Sequence, residues 1–231
     1  MRRRLFGTWL IVLALALAAV GCRAADPQRP IDAAAHTGTI RVACVGDSIT
    51  FGAGIKDREH KSYPAQLGQM LGEKWDVRNF GVSGATLLKQ GDKPYWKQKA
   101  FQEALAFKPD VVIIKLGTND TKPQNWKHQD EFAADYAAMI DQFRTIDPAP
   151  RIFICRPVPA FPGRWGIRDE IVRQGVIPVV DRVAKAKQVG VIDLYKALEG
   201  KKEFFPDTVH PNAEGAGVMA KTIARVLTGG N

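Results

Sequence analysis

A serine, a histidine and an aspartate carry the most specific chemistry in this sequence, with an asparagine and several glycines beside them. Ser48 lies in Gly46-Asp47-Ser48-Ile49-Thr50. A serine hydroxyl is too weakly acidic to attack at neutral pH and needs a neighbouring base. His210, in Asp207-Thr208-Val209-His210-Pro211, offers an imidazole that titrates near working pH. Asp207 stands three residues before it; within one turn, that spacing lets the carboxylate accept from the ring N–H and set its tautomer. Asn119, in Gly117-Thr118-Asn119-Asp120, supplies a neutral amide donor. Each fragment alone also has a plainer reading. Gly-Asp-Ser after a strand is commonly a turn, Asn119-Asp120 is another, and Asp207 with His210 is a surface pair. The glycine-rich stretch 46–54 has neither phosphate-loop nor dinucleotide-loop spacing. Gly81-Val82-Ser83-Gly84-Ala85 lacks the last glycine of a G-x-S-x-G elbow. His36, His60 and His128 lack a comparable carboxylate partner and read as solvated. No His/Cys/Asp cluster has metal-ligand spacing, so no metal and no cofactor are expected.

These residues need a scaffold that gathers them. Short apolar runs at Ile40–Val45, Trp75–Phe80, Val111–Leu116, Arg151–Cys155 and Val189–Leu194 read as strands. VVIIKL is almost unbroken apolar, as expected of a central strand covered on both faces. Helical patterns occupy 62–72, 98–107, 129–146, 169–187 and 212–227. In 129–146, Phe132, Tyr136, Met139, Ile140 and Phe143 form an amphipathic stripe. Strand followed by helix, repeated along the chain, argues one three-layer α/β domain with a parallel sheet. In such sheets ligands bind beyond the carboxyl ends of the strands. Ser48, the segment Asn79–Gly84 and Asn119 each follow a strand, and Asp207 and His210 lie in the loop before the last helix. One sheet edge would therefore collect all four fragments.

Together the fragments resemble the SGNH hydrolase family, also called GDSL esterases and lipases. Gly46-Asp47-Ser48-Ile49 matches its first block, N-x-G-x-S-G from Asn79 to Gly84 its second, Gly117-Thr118-Asn119-Asp120 its third and D-x-x-H-P from Asp207 its last. The resemblance covers Ile40 to the C-terminus. It implies a flavodoxin-like five-stranded parallel sheet of order 2-1-3-4-5 and a triad of Ser48, Asp207 and His210. It also implies an oxyanion hole made of the backbone N–H groups of Ser48 and Gly84 and the side-chain amide of Asn119. Asp47 and Asp120 read as structural carboxylates that bond nearby loop N–H groups.

The ester is less legible. Trp96, Trp126 and Trp165 fall in loops after the second, third and fourth strands, where they are expected to stack on a sugar or bound an acyl pocket; packing of long loops is the competing reading. No long apolar lid segment is visible. The chain is thus similar to bacterial carbohydrate O-acetylesterases, including the sialate O-acetylesterase-like group. The expected partner is a small ester or acetylated carbohydrate. A lysophospholipase or thioesterase-type acyl hydrolase is the alternative within enzymes, and a non-catalytic carbohydrate-binding domain the alternative outside them.

Residues 1–22 read as an export signal, with Arg2, Arg3 and Arg4 ahead of an apolar run and small residues before Cys22. Ala19-Val20-Gly21-Cys22 resembles a lipoprotein box, which would make Cys22 an acylated anchor; plain cleavage near Ala24 or Ala25 is the alternative. The protein is expected to be a periplasmic or cell-envelope lipoprotein, or else secreted and soluble, touching membrane through the lipid only. Residues 23–38 read as a flexible tether and 39–231 as the hydrolase domain. Of 231 residues, 45% are hydrophobic and 25% charged, which excludes a disordered chain. Without the three leading arginines the net charge falls from +9 to +6, with no basic stripe, so nucleic acid is not an expected partner. Cys44 and Cys155 sit in apolar runs and read as small buried hydrophobes, with a disulfide as the alternative. The implied strand order disfavours that disulfide.

Overall fold

The computed structural model describes residues 26–162 and 164–230. Strand β1 (Ile40–Gly46) runs into the short helix α1 (Ser48–Phe51), then α2 (Arg58–Lys61), α3 (Tyr63–Leu71) and β2 (Trp75–Gly81). Helix α4 (Lys99–Ala106), β3 (Val111–Lys115), α5 (Pro123–Trp126), α6 (Gln129–Arg144) and β4 (Arg151–Arg156) follow. Next come α7 (Asp169–Ile171), α8 (Ile177–Lys187), β5 (Gly190–Asp193), α9 (Leu194–Leu198) and α10 (Ala213–Thr228). The five strands form one parallel sheet of order β2-β1-β3-β4-β5.

Side-chain alternation divides the core into two layers. Ala43, Val45, Val112, Ile114, Ile152 and Ile154 pack beneath α4, α6 and α8. Ile40, Val42, Cys44, Val111, Ile113, Phe153 and Cys155 pack beneath α3, α9 and α10. Every residue of β3 is buried, because helices cover both of its faces. Cys44 and Cys155 are free and buried, on strands separated by β3. Burial is the main reason their thiols are hard to ionise, with Cys155 pushed up to about 12 and Cys44 higher still.

The stretch 169–187 is not one regular helix. Pro178 has no N–H for the carbonyl four residues before it. One turn earlier, Val172–Val176 widens into a π-helix, and the Ile177 N–H donates to the Val172 carbonyl five residues back.

Residues 26–38, expected to be a free tether, lie against the domain. Leu227 O accepts from the Ile31 N–H at 2.7 Å, and the Arg151 guanidinium donates to the carbonyls of Pro27 (3.1 Å) and Arg29 (2.6 Å). Ile31 and Ala33 pack on the α3/α10 layer. The segment's polar composition hid these contacts, because its share of the hydrogen bonds is largely backbone carbonyls, at Pro27, Arg29 and His36, that accept from the Arg151 and Lys74 side chains and carry no side-chain signature. It lies at the amino ends of the strands, beside Ile40, Val111 and Ile152. A chain beginning at Thr37 should therefore lose about 1–3 kcal/mol in urea unfolding. An unchanged midpoint would mean that these contacts contribute nothing.

Candidate active site

The first turn after β1 presents Ser48. Asp47 precedes it in an extended conformation and its carboxylate accepts from the Ile49 N–H at 2.9 Å, capping α1. The turn is wedged against β2. A β-carbon on Gly81 would stand 2.2 Å from the Phe51 nitrogen, so only glycine allows this approach. Asn79 adds two ties, donating to Thr50 O at 2.8 Å and accepting from the Gly81 N–H at 2.9 Å.

His210 reaches the same point from the loop between α9 and α10. Its Nε2 lies 2.8 Å from Ser48 Oγ, and its Nδ1 lies 2.7 Å from Asp207 Oδ2. Asp207 Oδ1 also accepts from the backbone N–H groups of Val209 (3.0 Å) and His210 (2.7 Å). Partial burial alone would raise the Asp207 pKa, but the backbone and ring donors of His210 and the Val209 N–H together hold it below the usual carboxylate value. Between the two catalytic candidates of this loop, Thr208 adopts φ +73°, and its hydroxyl is buried without a hydrogen-bond partner among the described residues. A β-branched residue at positive φ is strained backbone, held by the Phe161 N–H donating to Thr208 O and the Thr208 N–H donating to Phe205 O.

Ser48, Gly84, Asn119 and His210 line one pocket of about 230 Å³, with Trp165 and Ile167 on its wall. Gly84 has φ +80°, while a β-carbon there would meet only the Lys93 side chain, at 3.6 Å. Backbone conformation, not lack of space, is what calls for glycine at this position. Asn119 Nδ2 donates to Ala85 O at 3.1 Å, which leaves its second hydrogen for the pocket. Asp120 is buried and accepts from the N–H groups of Leu87 (3.1 Å) and Leu88 (2.8 Å), which shapes the loop after Gly84. A larger hollow of about 460 Å³ lies at the amino ends of the strands and contains none of these groups.

The three tryptophans separate. Trp165 is 54% exposed, has φ +55°, and its ring centre is 5.3 Å from that of His210. Trp126 is buried, with its ring 5.7 Å from Phe132 and close over Gly175. Trp96 donates its indole N–H to Leu87 O at 2.8 Å and packs edge-on against Phe101. Trp96 and Trp126 therefore support loops and do not line the pocket. A loop position in the sequence says nothing about which loop covers which. The expectation that only His210 has a carboxylate partner also needs correction. His60 Nδ1 lies 2.7 Å from Asp57 Oδ1, at the same three-residue spacing, and His36 lies 3.9 Å from Asp110. The Asp57–His60 pair is exposed and meets no serine, so tertiary placement distinguishes it from Asp207–His210.

Sequence reasoning passed over Lys115. Its ammonium is fully buried and donates to both oxygens of Asp47 and to Thr118 Oγ1. The available signal was a single lysine in an otherwise apolar central strand.

Residues 44–218 match the family model described as GDSL-like lipase/acylhydrolase. The chain belongs to that family. Over 207 residues it is 44% identical to an acetylxylan esterase of Xylanibacter ruminicola, a match covering 81% of this chain and 43% of that protein. It thus spans less than half the length of that relative. Among solved structures, a lipase/acylhydrolase from Enterococcus faecalis superposes with a TM-score of 0.67 at 26% identity, covering 83% of this chain and 96% of the other. A carbohydrate acetylesterase from Sinorhizobium meliloti has the same fold, with a TM-score of 0.67 at 21% identity over 80% of this chain and 97% of the other.

Burial is the main reason the Asp120 carboxyl is pushed up to about 7, against the opposing pull of its backbone donors. The folded state then holds a proton that the unfolded state has lost, so this group's contribution to stability falls as pH rises from the unfolded carboxyl value through about 7. Asp207, with a lowered pKa, loses its contribution only in more acidic solution. Urea stability should therefore drop between about pH 4 and about pH 7 by a component that Asp120→Asn removes. An identical pH profile in the variant would contradict this.

Proposed function

We propose that this chain is an exported serine esterase that removes acetyl groups from carbohydrates. The observation that carries the reading is the continuous hydrogen-bonded line from Asp207 through His210 to Ser48, ending in a small pocket beside Gly84 and Asn119. Ser48 Oγ attacks the ester carbonyl as its proton passes to His210 Nε2, and Asp207 stabilises the imidazolium. The oxyanion accepts from the N–H groups of Ser48 and Gly84 and from Asn119 Nδ2. His210 returns the proton to the departing sugar oxygen. It then takes one from water, which attacks the acetyl-serine and releases acetate and free Ser48.

A pocket of about 230 Å³ suits an acetyl group better than a long acyl chain, which weighs against a lysophospholipase or thioesterase. Trp165 offers an exposed aromatic face at the mouth for a sugar ring. The acetylxylan esterase among the relatives supports an acetylated xylan as substrate. A purely carbohydrate-binding domain would have no use for a serine, imidazole and carboxylate in hydrogen-bonded line.

The test is hydrolysis of p-nitrophenyl esters from acetate to palmitate, with acetylated xylo-oligosaccharides alongside. Acetate should be preferred, Ser48→Ala should lose about 10⁴-fold or more in turnover, and His60→Ala should match wild type. Faster cleavage of palmitate would favour the long-chain reading, and an active Ser48→Ala protein would end the serine mechanism.

Export and acylation at Cys22 belong to the same proposal, although residues 1–25 lie outside the described residues. The contacts of 26–38 at the amino ends of the strands support it, since an anchor there would face the pocket away from the membrane. Cys22→Ala should move the protein to the soluble fraction with unchanged specific activity. Wild-type protein already soluble, with its N-terminus near Ala25, would favour plain secretion.

A further inference from the structure

We propose that Lys115 is a positioning residue that holds two donors of the oxyanion hole in register with each other. The inference rests on the serine-esterase reading above. The Lys115 and Asp47 side chains are wholly buried. The ammonium donates to Asp47 Oδ1 at 3.1 Å, to Asp47 Oδ2 at 3.0 Å and to Thr118 Oγ1 at 2.7 Å. All three of its hydrogens are used, so it is not available as a base or nucleophile.

Its two partners hold matching places. Asp47 immediately precedes Ser48, and Thr118 immediately precedes Asn119. The ladder between β1 and β3 ends at the pair Gly46–Lys115, so neither donor is held to the other by paired backbone. The lysine side chain continues the connection past the end of the ladder. It joins the turn that presents the Ser48 N–H to the turn that presents the Asn119 amide. Stability alone does not account for a charge here. Burying an ion pair has a large desolvation cost, and an apolar side chain in a strand buried on both faces is often as stable or more so. Geometry at the strand ends does account for it. Donors must stand within a few tenths of an ångström of where the negative charge develops, and that requirement falls on the transition state, not on bound substrate.

The experiment compares Thr118→Val, which removes one acceptor and keeps the Lys115–Asp47 pair, with Thr118→Ser, which keeps the hydroxyl. For p-nitrophenyl acetate, Thr118→Val should lower kcat about tenfold or more with KM within about twofold, and Thr118→Ser should restore kcat. A second variant, Lys115→Met with Asp47→Asn, leaves no unpaired buried charge and keeps an oxygen to cap Ile49. It should lose about 100-fold in kcat, again without a matching rise in KM. It carries the test if Thr118→Val does not fold. A folded Thr118→Val or double variant with kcat within about twofold of wild type would overturn the inference, as would a loss borne by KM or a Thr118→Ser protein that is not restored. Inactive Ser48→Ala beside a fully active Thr118→Val would sink this inference alone. Active Ser48→Ala would sink the serine mechanism itself.

Discussion

The parallel alignment of the five strands is the constraint on which the rest of the molecule depends. Because every strand runs the same way, all five carboxyl ends open on one edge. The groups of the pocket are therefore delivered from separate parts of the chain: Ser48 after β1, Gly84 after β2, Asn119 after β3, and His210 from the loop before α10. No one of these segments could hold the arrangement by itself. Two apolar layers clamp the sheet between helices, and β3, buried along its whole length, anchors Asn119 and Lys115 at its end. Large-to-small changes in such a strand leave cavities that neighbours cannot fill, so the site inherits its rigidity from close packing well below it.

Beyond the strand ends, polar contacts replace the ladder. Asn79 ties the Gly81 turn to Thr50, Asp120 organises the loop at Leu87 and Leu88, and Lys115 joins Asp47 to Thr118. These groups are mostly buried, where an unpaired donor or acceptor would be costly, and each has its partners. The strained Thr208 is the exception, with a buried hydroxyl left unpaired beside the Asp207–His210 hydrogen bonds. Strain of this kind persists only where the surroundings hold it in place, here through the hydrogen bonds that Thr208 makes to Phe161 and Phe205.

The two ends of the sheet have different work. The pocket of Ser48, Gly84, Asn119 and His210 opens at the carboxyl edge, whereas the opposite edge receives residues 26–38 and the end of α10. Asp26, the first described residue, thus stands on the side remote from the pocket. The polar composition of 26–38 suggested only a spacer. Its contacts with Leu227 and Arg151 make it part of the folded unit.

The sequence by itself determined the five strands, the longer helices and their order, but not the short helices α1, α2, α5 and α9. Apolar period, glycine and proline punctuation, and the four short motifs are local properties, and local properties survive in a linear reading. The five strands stand within a residue or so of where the apolar runs end, and the helical stripe of Phe132, Tyr136, Met139 and Phe143 faces the core. The stretch 169–187 read as a single helix, and its break at Val172–Val176 emerged only in the structure, one turn before Pro178. Only tertiary structure decided what each side chain meets. Trp126 and Trp165 are alike as loop tryptophans, yet one is buried and the other stands over His210, because burial depends on which distant segment covers a loop. Asp57–His60 and Asp207–His210 share a spacing, but a serine lies within reach of only the second, since that contact joins residues far apart in the chain. Lys115 reads as an interruption in an apolar strand until Asp47 and Thr118 close around its charge.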